Sequence, residues 1–331
     1  MTTSELLAAT WKALEDEGFS LVGNYERRIF SHTAYSLFAG LSRPKNLIQF
    51  SLIVTSAQAT RVDDEDLRGF RIFREAPVDD QVRIRIELTD VSYRDIFLVV
   101  SSDILDRLLS INDESQSAVI LQKRIDHWKK FMQASGPEGL TRSQQIGLYG
   151  ELLVLRSLLA FPGNEDIALE SWLGPNGANQ DFVLGGHAIE VKTTASNEPT
   201  RVRISNERQL DTVGLSLLFL CHIGVDEKAY AGISLPTLID EIISILPGHL
   251  SATFIDTLAK AGYLNVQRDL YGAIGYIERI RVYYQVSEGF PRIIPPDLMD
   301  GVSEVSYQID LSAAKTLKRP EQHVLSYYFK S

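Results

Sequence analysis

Runs of apolar and polar positions divide the chain into three stretches. In the first, an amphipathic segment at residues 4–17 predicts a short helix, and apolar runs at 35–38 and 47–54 predict strands. Residues 82–88 alternate strictly, as a half-buried strand does, and the wholly apolar run 96–100 predicts a buried strand. A helix is expected over about 117–133. The segment Ala134-Ser135-Gly136-Pro137-Glu138-Gly139 then reads as a linker that closes a strand-rich N-terminal module, residues 1–135. In the second stretch, residues 140–225, Thr141 and Gln144 have capping-box spacing and open a helix that runs to about residue 160 and stops before Pro162-Gly163. There follow a strand near 167–172, a turn at Gly174-Pro175-Asn176-Gly177, a hairpin, a polar loop at 195–200, a short helix at 206–210 and a buried strand at 215–221. The order is helix, three strands, helix, strand. The last stretch, 226–331, predicts helices at 235–246 and 252–262 and alternating strands at 280–286 and 305–311, separated by a proline-rich loop at 291–296. No internal repeat is present.

The hairpin is the most informative segment. Gly185-Gly186 lies between two apolar-rich runs, the signal for a two-residue primed turn. Counting outward pairs Leu184 with His187, Val183 with Ala188, Phe182 with Ile189 and Asp181 with Glu190. Strand side chains alternate between faces, so Asp181, Glu190 and Lys192 project from one side of the sheet. Directly opposed residues have Cβ atoms roughly 4.5–5.5 Å apart, where like charges repel. Two facing carboxylates with a lysine one step further therefore point to a bound divalent cation.

Glu151 adds to this. On its helix Gly147, Leu148, Val154, Leu155 and Leu158 form an apolar stripe with the carboxylate in the middle. An ionised carboxylate buried without a partner costs several kcal/mol or neutralises. It either meets a buried cation or reaches solvent at the edge of the stripe, and the acidic hairpin nearby favours the cation.

A helix glutamate, an aspartate, and Glu-x-Lys on the next strand resemble the PD-(D/E)xK nuclease superfamily, whose core is αβββαβ. The similarity extends through Gly147-Leu148-Tyr149-Gly150-Glu151-Leu152-Leu153, Trp172-Leu173-Gly174-Pro175, Gln180-Asp181-Phe182, Glu190-Val191-Lys192-Thr193-Thr194 and Ile204 to Leu210. These segments resemble a bacterial family named only for that motif and associated with phage defence. The pattern departs at one point, where Gln180 and not proline precedes Asp181. The resemblance implies an α/β protein with a restriction-endonuclease-like core, a strand-rich N-terminal module and a mixed C-terminal extension. It implies Mg²⁺ (or Mn²⁺) bound by Asp181, Glu190 and the Val191 carbonyl, with Glu151 completing the shell or supporting a second ion. Lys192 would stand beside the attacking water, and Gln209 beside the lysine. The implied reaction is hydrolysis of DNA phosphodiester bonds, the implied partners are DNA and other defence proteins, and a homodimer is left open.

Composition adjusts this picture. The formal charge of −10 does not mark a nucleic-acid binder, so any DNA surface is local or supplied by a partner. Arg201, Arg203 and Arg208 are candidate phosphate contacts, with solvated surface charge the simpler reading. The same holds for Lys123-Arg124 and Lys129-Lys130, and Asp63 to Asp66 reads as a solvated turn. The single cysteine, Cys221, excludes an internal disulfide and a thiolate zinc cluster. The six histidines (His32, His127, His187, His222, His249 and His323) never reach metal-ligand spacing, and His187 lies on the other face of the hairpin. A phosphate-binding glycine loop and a Gly-x-Ser-x-Gly elbow are both absent. With no secretion signal and no membrane-spanning run, the expected location is the cytoplasm. Two rivals remain: a silent nuclease fold that binds DNA or scaffolds partners, and a structural cluster in which Lys192 neutralises Asp181 and Glu190.

Overall fold

In the computed structural model, residues 2–329 are described except His32, Ala34, Asn112, Pro162 and 196–199. The expectations for His32, for Pro162 as a helix stop and for most of the 195–200 loop therefore fall outside the described residues. The chain divides into two compact units, Met1–Pro137 and Glu138–Ser331.

The first unit is a six-stranded antiparallel sheet with helices. Helix α1 (Thr3–Asp16) starts at a Thr2–Glu5 capping box and buries Leu7, Trp11 and Leu14, spaced along one face. Strands β1 (Gly23–Ile29), β2 (Ser36–Arg43) and β3 (Leu47–Thr55) lead through the short α2 (Ser56–Ala59) to β4 (Glu65–Leu67), β5 (Phe70–Arg74) and β6 (Gln81–Leu88). The sheet order is β1-β2-β3-β6-β5-β4. Trp11 anchors α1 to the sheet by donating its indole N–H to the Gln49 carbonyl, 2.9 Å away. Helices α3 (Arg94–Leu109) and α4 (Ser117–Ala134) complete the unit. The strand expected at 96–100 is part of α3. Five apolar residues cannot separate the two periods, but the buried set Ile96, Phe97, Val100, Ile104 and Leu108 continues at helical spacing.

The second unit begins with α5 (Arg142–Leu159), whose Thr141–Gln144 capping box is formed as the spacing predicts. Helix α6 (Glu165–Glu170) follows, then β7 (Phe182–Leu184), β8 (His187–Thr194), β9 (Arg201–Ile204) and β10 (Leu217–Ala229). The chain continues through β11 (Ile233–Ser234), α7 (Leu235–Ile245), α8 (Ser251–Lys260), β12 (Ile274–Gln285), β13 (Tyr307–Asp310), β14 (Lys318–Arg319) and α9 (Glu321–Tyr328). The main sheet runs β11-β12-β10-β8-β7, with β8 parallel to β10 and the other pairs antiparallel.

Several expectations are corrected here. The strand near 167–172 is α6, and only Trp172 makes an isolated bridge, to Phe182. The short helix at 206–210 is a series of turns. Strand β9 leaves the main sheet and pairs with β13 as a two-stranded ribbon. The helix–three strands–helix–strand order expected within 141–221 is therefore not formed as such; the elements there are α5, α6, β7, β8, β9 and β10. The division expected at 225/226 falls inside β10, so residues 140–225 and 226–331 belong to one unit. The result is a mixed α/β protein. Among the described residues no helix is long and apolar enough to cross a membrane.

The sheet of the second unit has two covered faces. Phe182, Ile189, Val191, Phe219, Cys221 and Ile223 pack with α5 and α7. Ala188, Leu218 and Leu220 face the opposite way, toward Val202 and Ile204 of β9 and Ile309 of β13. The second face places Glu190 and Lys192, which alternate with Ile189 and Val191, beneath the ribbon.

Candidate active site

The hairpin forms in the predicted register: Leu184 opposite His187, Val183 opposite Ala188 and Phe182 opposite Ile189. Gly185 and Gly186 both have positive φ, 52° and 85°, which a primed turn requires and glycine supplies without strain. The ladder ends one step before Asp181 and Glu190. Asp181 instead turns its carbonyl to the N–H groups of Leu173 and Gly174, at 2.8 and 3.0 Å. Its Oδ2 accepts the Val191 N–H at 2.7 Å. The facing pair expected at these positions is therefore not a ladder pair, although both side chains enter one cleft.

That cleft has a volume of about 560 Å³, and its lining includes Glu151, Asp181, Glu190, Val191, Lys192 and Gln209. The residues to which the resemblance gives metal and catalytic roles thus lie along one cleft. Glu151 comes from α5, which approaches β8 closely because residue 150 is glycine. A Cβ there would overlap the Thr193 hydroxyl and lie 2.9 Å from the Thr193 Cβ. Glu151 Oε2 accepts the Trp172 indole N–H at 2.8 Å. Gly174 leaves room for two acids. A Cβ at that position would lie 2.8 Å from Asp181 Oδ1 and 3.2 Å from Glu151 Oε2.

Glu190 is 1% exposed, and the Lys192 ammonium is the donor that reaches its carboxylate. Lys192 Nζ stands 2.8 Å from Oε1 as an ion pair. The ammonium also donates to Gln209 Oε1 at 2.9 Å, and that same oxygen accepts the Ser205 N–H at 2.8 Å. Gln209 sits on a turn and not on the expected helix.

The electrostatics follow from three acids buried around one ammonium. Burial, then the charge of Asp181, holds both Glu151 and Glu190 above the ordinary carboxylate range. Burial also raises Asp181, against the opposing pull of the Val191 N–H and of Lys192. For Lys192, burial works to lower the pKa, but Glu190, Asp181 and Glu151 outweigh it and the net shift is upward. The cluster is short of positive charge.

These features allow a test of whether a divalent ion fits. Glu190 presents two buried oxygens with a single ammonium beside them, and hard oxygen donors suit Mg²⁺ or Mn²⁺. In a strand, a residue's N–H and C=O point to the same edge. The Val191 carbonyl therefore shares the edge where its N–H meets Asp181. Among the described residues no three His, Cys, Asp or Glu groups stand close enough to hold an ion together. The fit is to an ion held by two carboxylates with water and substrate oxygens, as Mg²⁺ prefers, and not to an all-protein cage that includes Glu151.

The remaining candidates divide. Arg203 lines the cleft, with its Nε bound to Ser306 Oγ at 2.9 Å, whereas Arg201 and Arg208 are exposed outside it. Arg142 also lines the cleft, but its Nε is engaged by Glu227 at 2.9 and 3.0 Å. His222, buried behind the cleft wall, contacts Thr194 Oγ1 at 3.1 Å. Trp172, Gly150, Gly174 and Ser205 were given no individual role from sequence. A buried indole usually finds a partner for its N–H, and that signal could have linked Trp172 to an acid.

Helix, hairpin and acid–lysine cleft together define a PD-(D/E)XK-like protein. The chain belongs to the family described as "Putative PD-(D/E)XK family member, (DUF4420)", whose model matches residues 7–312. Membership suggests a nuclease-type function. No curated protein and no solved structure matches the chain significantly.

Proposed function

We propose that this chain hydrolyses phosphodiester bonds of DNA with the help of Mg²⁺ or Mn²⁺. The observation that carries the reading is the convergence of Asp181, Glu190 and Lys192 in one cleft, with too little positive charge for the buried acids. Asp181, Glu190 and the Val191 carbonyl would hold the ion, which when bound supplies Lewis acidity at the scissile phosphate. Lys192 is the fixed positive charge of the site. Anchored by Gln209 and drawn to Glu190, its ammonium is oriented toward the substrate before binding, so little reorganisation is needed as charge develops on the phosphate. Its remaining N–H groups can orient the attacking water or meet a non-bridging oxygen. Glu151, held by Trp172 and with its pKa pushed up to about 8 by burial and the Asp181 charge, stands at the margin of the site.

The silent-subunit reading draws support from the formal charge of −10. Against it stands Glu190: a fold that used these residues only for packing would gain by replacing a carboxylate buried beside the charge of Asp181. Incubation with linear, nicked and supercoiled DNA plus Mg²⁺ separates the two. Wild type should cleave at least one form and Lys192→Ala none. Equal cleavage by both proteins would remove Lys192 from the chemistry and overturn the mechanism. A role in phage defence, the setting the resemblance implies, predicts that expression lowers plaque counts in wild type and not in Lys192→Ala.

A further inference from the structure

Gln209 supports the lysine from a segment with no regular structure. Residues 206–209 are turns, closed by the Arg208 N–H on Asn206 Oδ1 (2.9 Å) and the Gln209 N–H on the Asn206 carbonyl (3.4 Å). Such a segment holds a side chain in place only when it is tied down from outside. One tie is Glu207, 3% exposed, whose Oε2 accepts the Val305 N–H at 2.9 Å. The other is Gln180. It is 8% exposed, and its Nε2 donates to the carbonyls of Arg208 (3.0 Å) and Gln209 (3.3 Å). Those are the two carbonyls that bracket the Gln209 α-carbon. From there the side chain reaches out, and its Oε1 rests between the Ser205 N–H and the Lys192 ammonium.

We propose that Gln180, the residue immediately before Asp181, is a positioning residue: through the Gln209 backbone it sets the amide oxygen that orients Lys192 in the cleft. The inference rests on the reading of Lys192 as the ammonium beside the scissile phosphate. The chemistry at position 180 is restrictive. One planar NH₂ group presents two hydrogens to two carbonyls. A glutamate of the same shape would present only acceptors to those carbonyls, and a proline would offer no side-chain donor at all. The residue that departs from the Pro-Asp signature therefore has a task that proline could not perform. It couples the acid-bearing hairpin to the turn that steers the lysine.

The test has two arms. In the first, amide hydrogen exchange is followed at Ser205, whose N–H reports directly on the Gln209 side chain. Exchange at Ser205 should accelerate in Gln180→Glu and in the shape-preserving Gln180→Met to the level reached in Gln209→Ala. The hairpin amides of Phe182 and Ile189 should keep their wild-type protection, showing that the fold persists. In the second arm, each variant should lose up to about a hundredfold in kcat at unchanged KM, the scale of a displaced catalytic group. The double variant Gln180→Met/Gln209→Ala should be no worse than Gln209→Ala alone. Unchanged Ser205 exchange in both folded Gln180 variants would overturn the proposal, as would losses that multiply in the double variant. If wild type cleaves no DNA, the proposed function fails, and the exchange arm alone decides whether Gln180 positions Gln209.

Discussion

At the scale of single residues, Glu190 is the group on which stability and function disagree. Glu190 is buried next to the charge of Asp181, a cost in desolvation and repulsion that the Lys192 ammonium offsets only in part. Glu190→Gln should therefore raise the melting temperature of the metal-free protein while abolishing activity. Scanning calorimetry in EDTA checks this, and an unchanged or lower midpoint would count against it. Mg²⁺ should stabilise wild type by mass action, about 2.7 kcal/mol at a hundredfold excess over Kd, and leave Glu190→Gln unmoved. His222 makes a separate prediction. Burial, aided by Arg279, lowers its pKa from 6.5 to about 4. The unfolded chain then binds the proton more readily than the folded one between those values. Stability from this group is complete above about pH 6.5 and drains away as pH falls toward 4, by about 3 kcal/mol at most. Replacing His222 with Asn should flatten the dependence of the denaturation midpoint on pH across that window.

At the scale of elements, the α5–β8 contact sets the reach of Glu151. Because a Cβ at position 150 would collide with Thr193, Gly150→Ala must push the helix away from the strand. Overpacking of this kind costs about 1–3 kcal/mol. Urea denaturation should show that loss, and Thr193→Ala in the same chain should recover part of it. The elements legible in the sequence were those with a local signal. The α5 capping box gave its start, and the glycine pair gave the register of β7 and β8. Those that escaped depend on distant partners. Ile96 to Val100 is too short a run to distinguish helix from strand. Segment 167–172 has strand-like composition but is packed as α6, and β9 is drawn out of the main sheet by β13, about a hundred residues later. Asp181, Glu190, Lys192 and Glu151 could be found from sequence because each follows from a local period. Trp172, Ser205 and the ties of Gln180 could not, since each is a long-range contact.

At the scale of the whole molecule, the chain is two units, each with its own sheet, and the candidate site belongs entirely to Glu138–Ser331. That unit should fold and bind Mg²⁺ when produced without residues 1–137, a point that calorimetry of the fragment would check. The formal charge of −10 means that substrate attraction must be local, with Arg203 and Lys192 the basic groups available in the cleft. DNA binding should consequently be weak and only mildly salt-dependent, since few phosphates are neutralised. All of this depends on the buried acids being a cation site. Crystals soaked in Mn²⁺ and measured for anomalous scattering test that most directly. The account predicts a peak between the Asp181 and Glu190 carboxylates, beside the Val191 carbonyl, that is absent in Glu190→Gln. A map with no peak there, and Lys192 alone satisfying both acids, would contradict it.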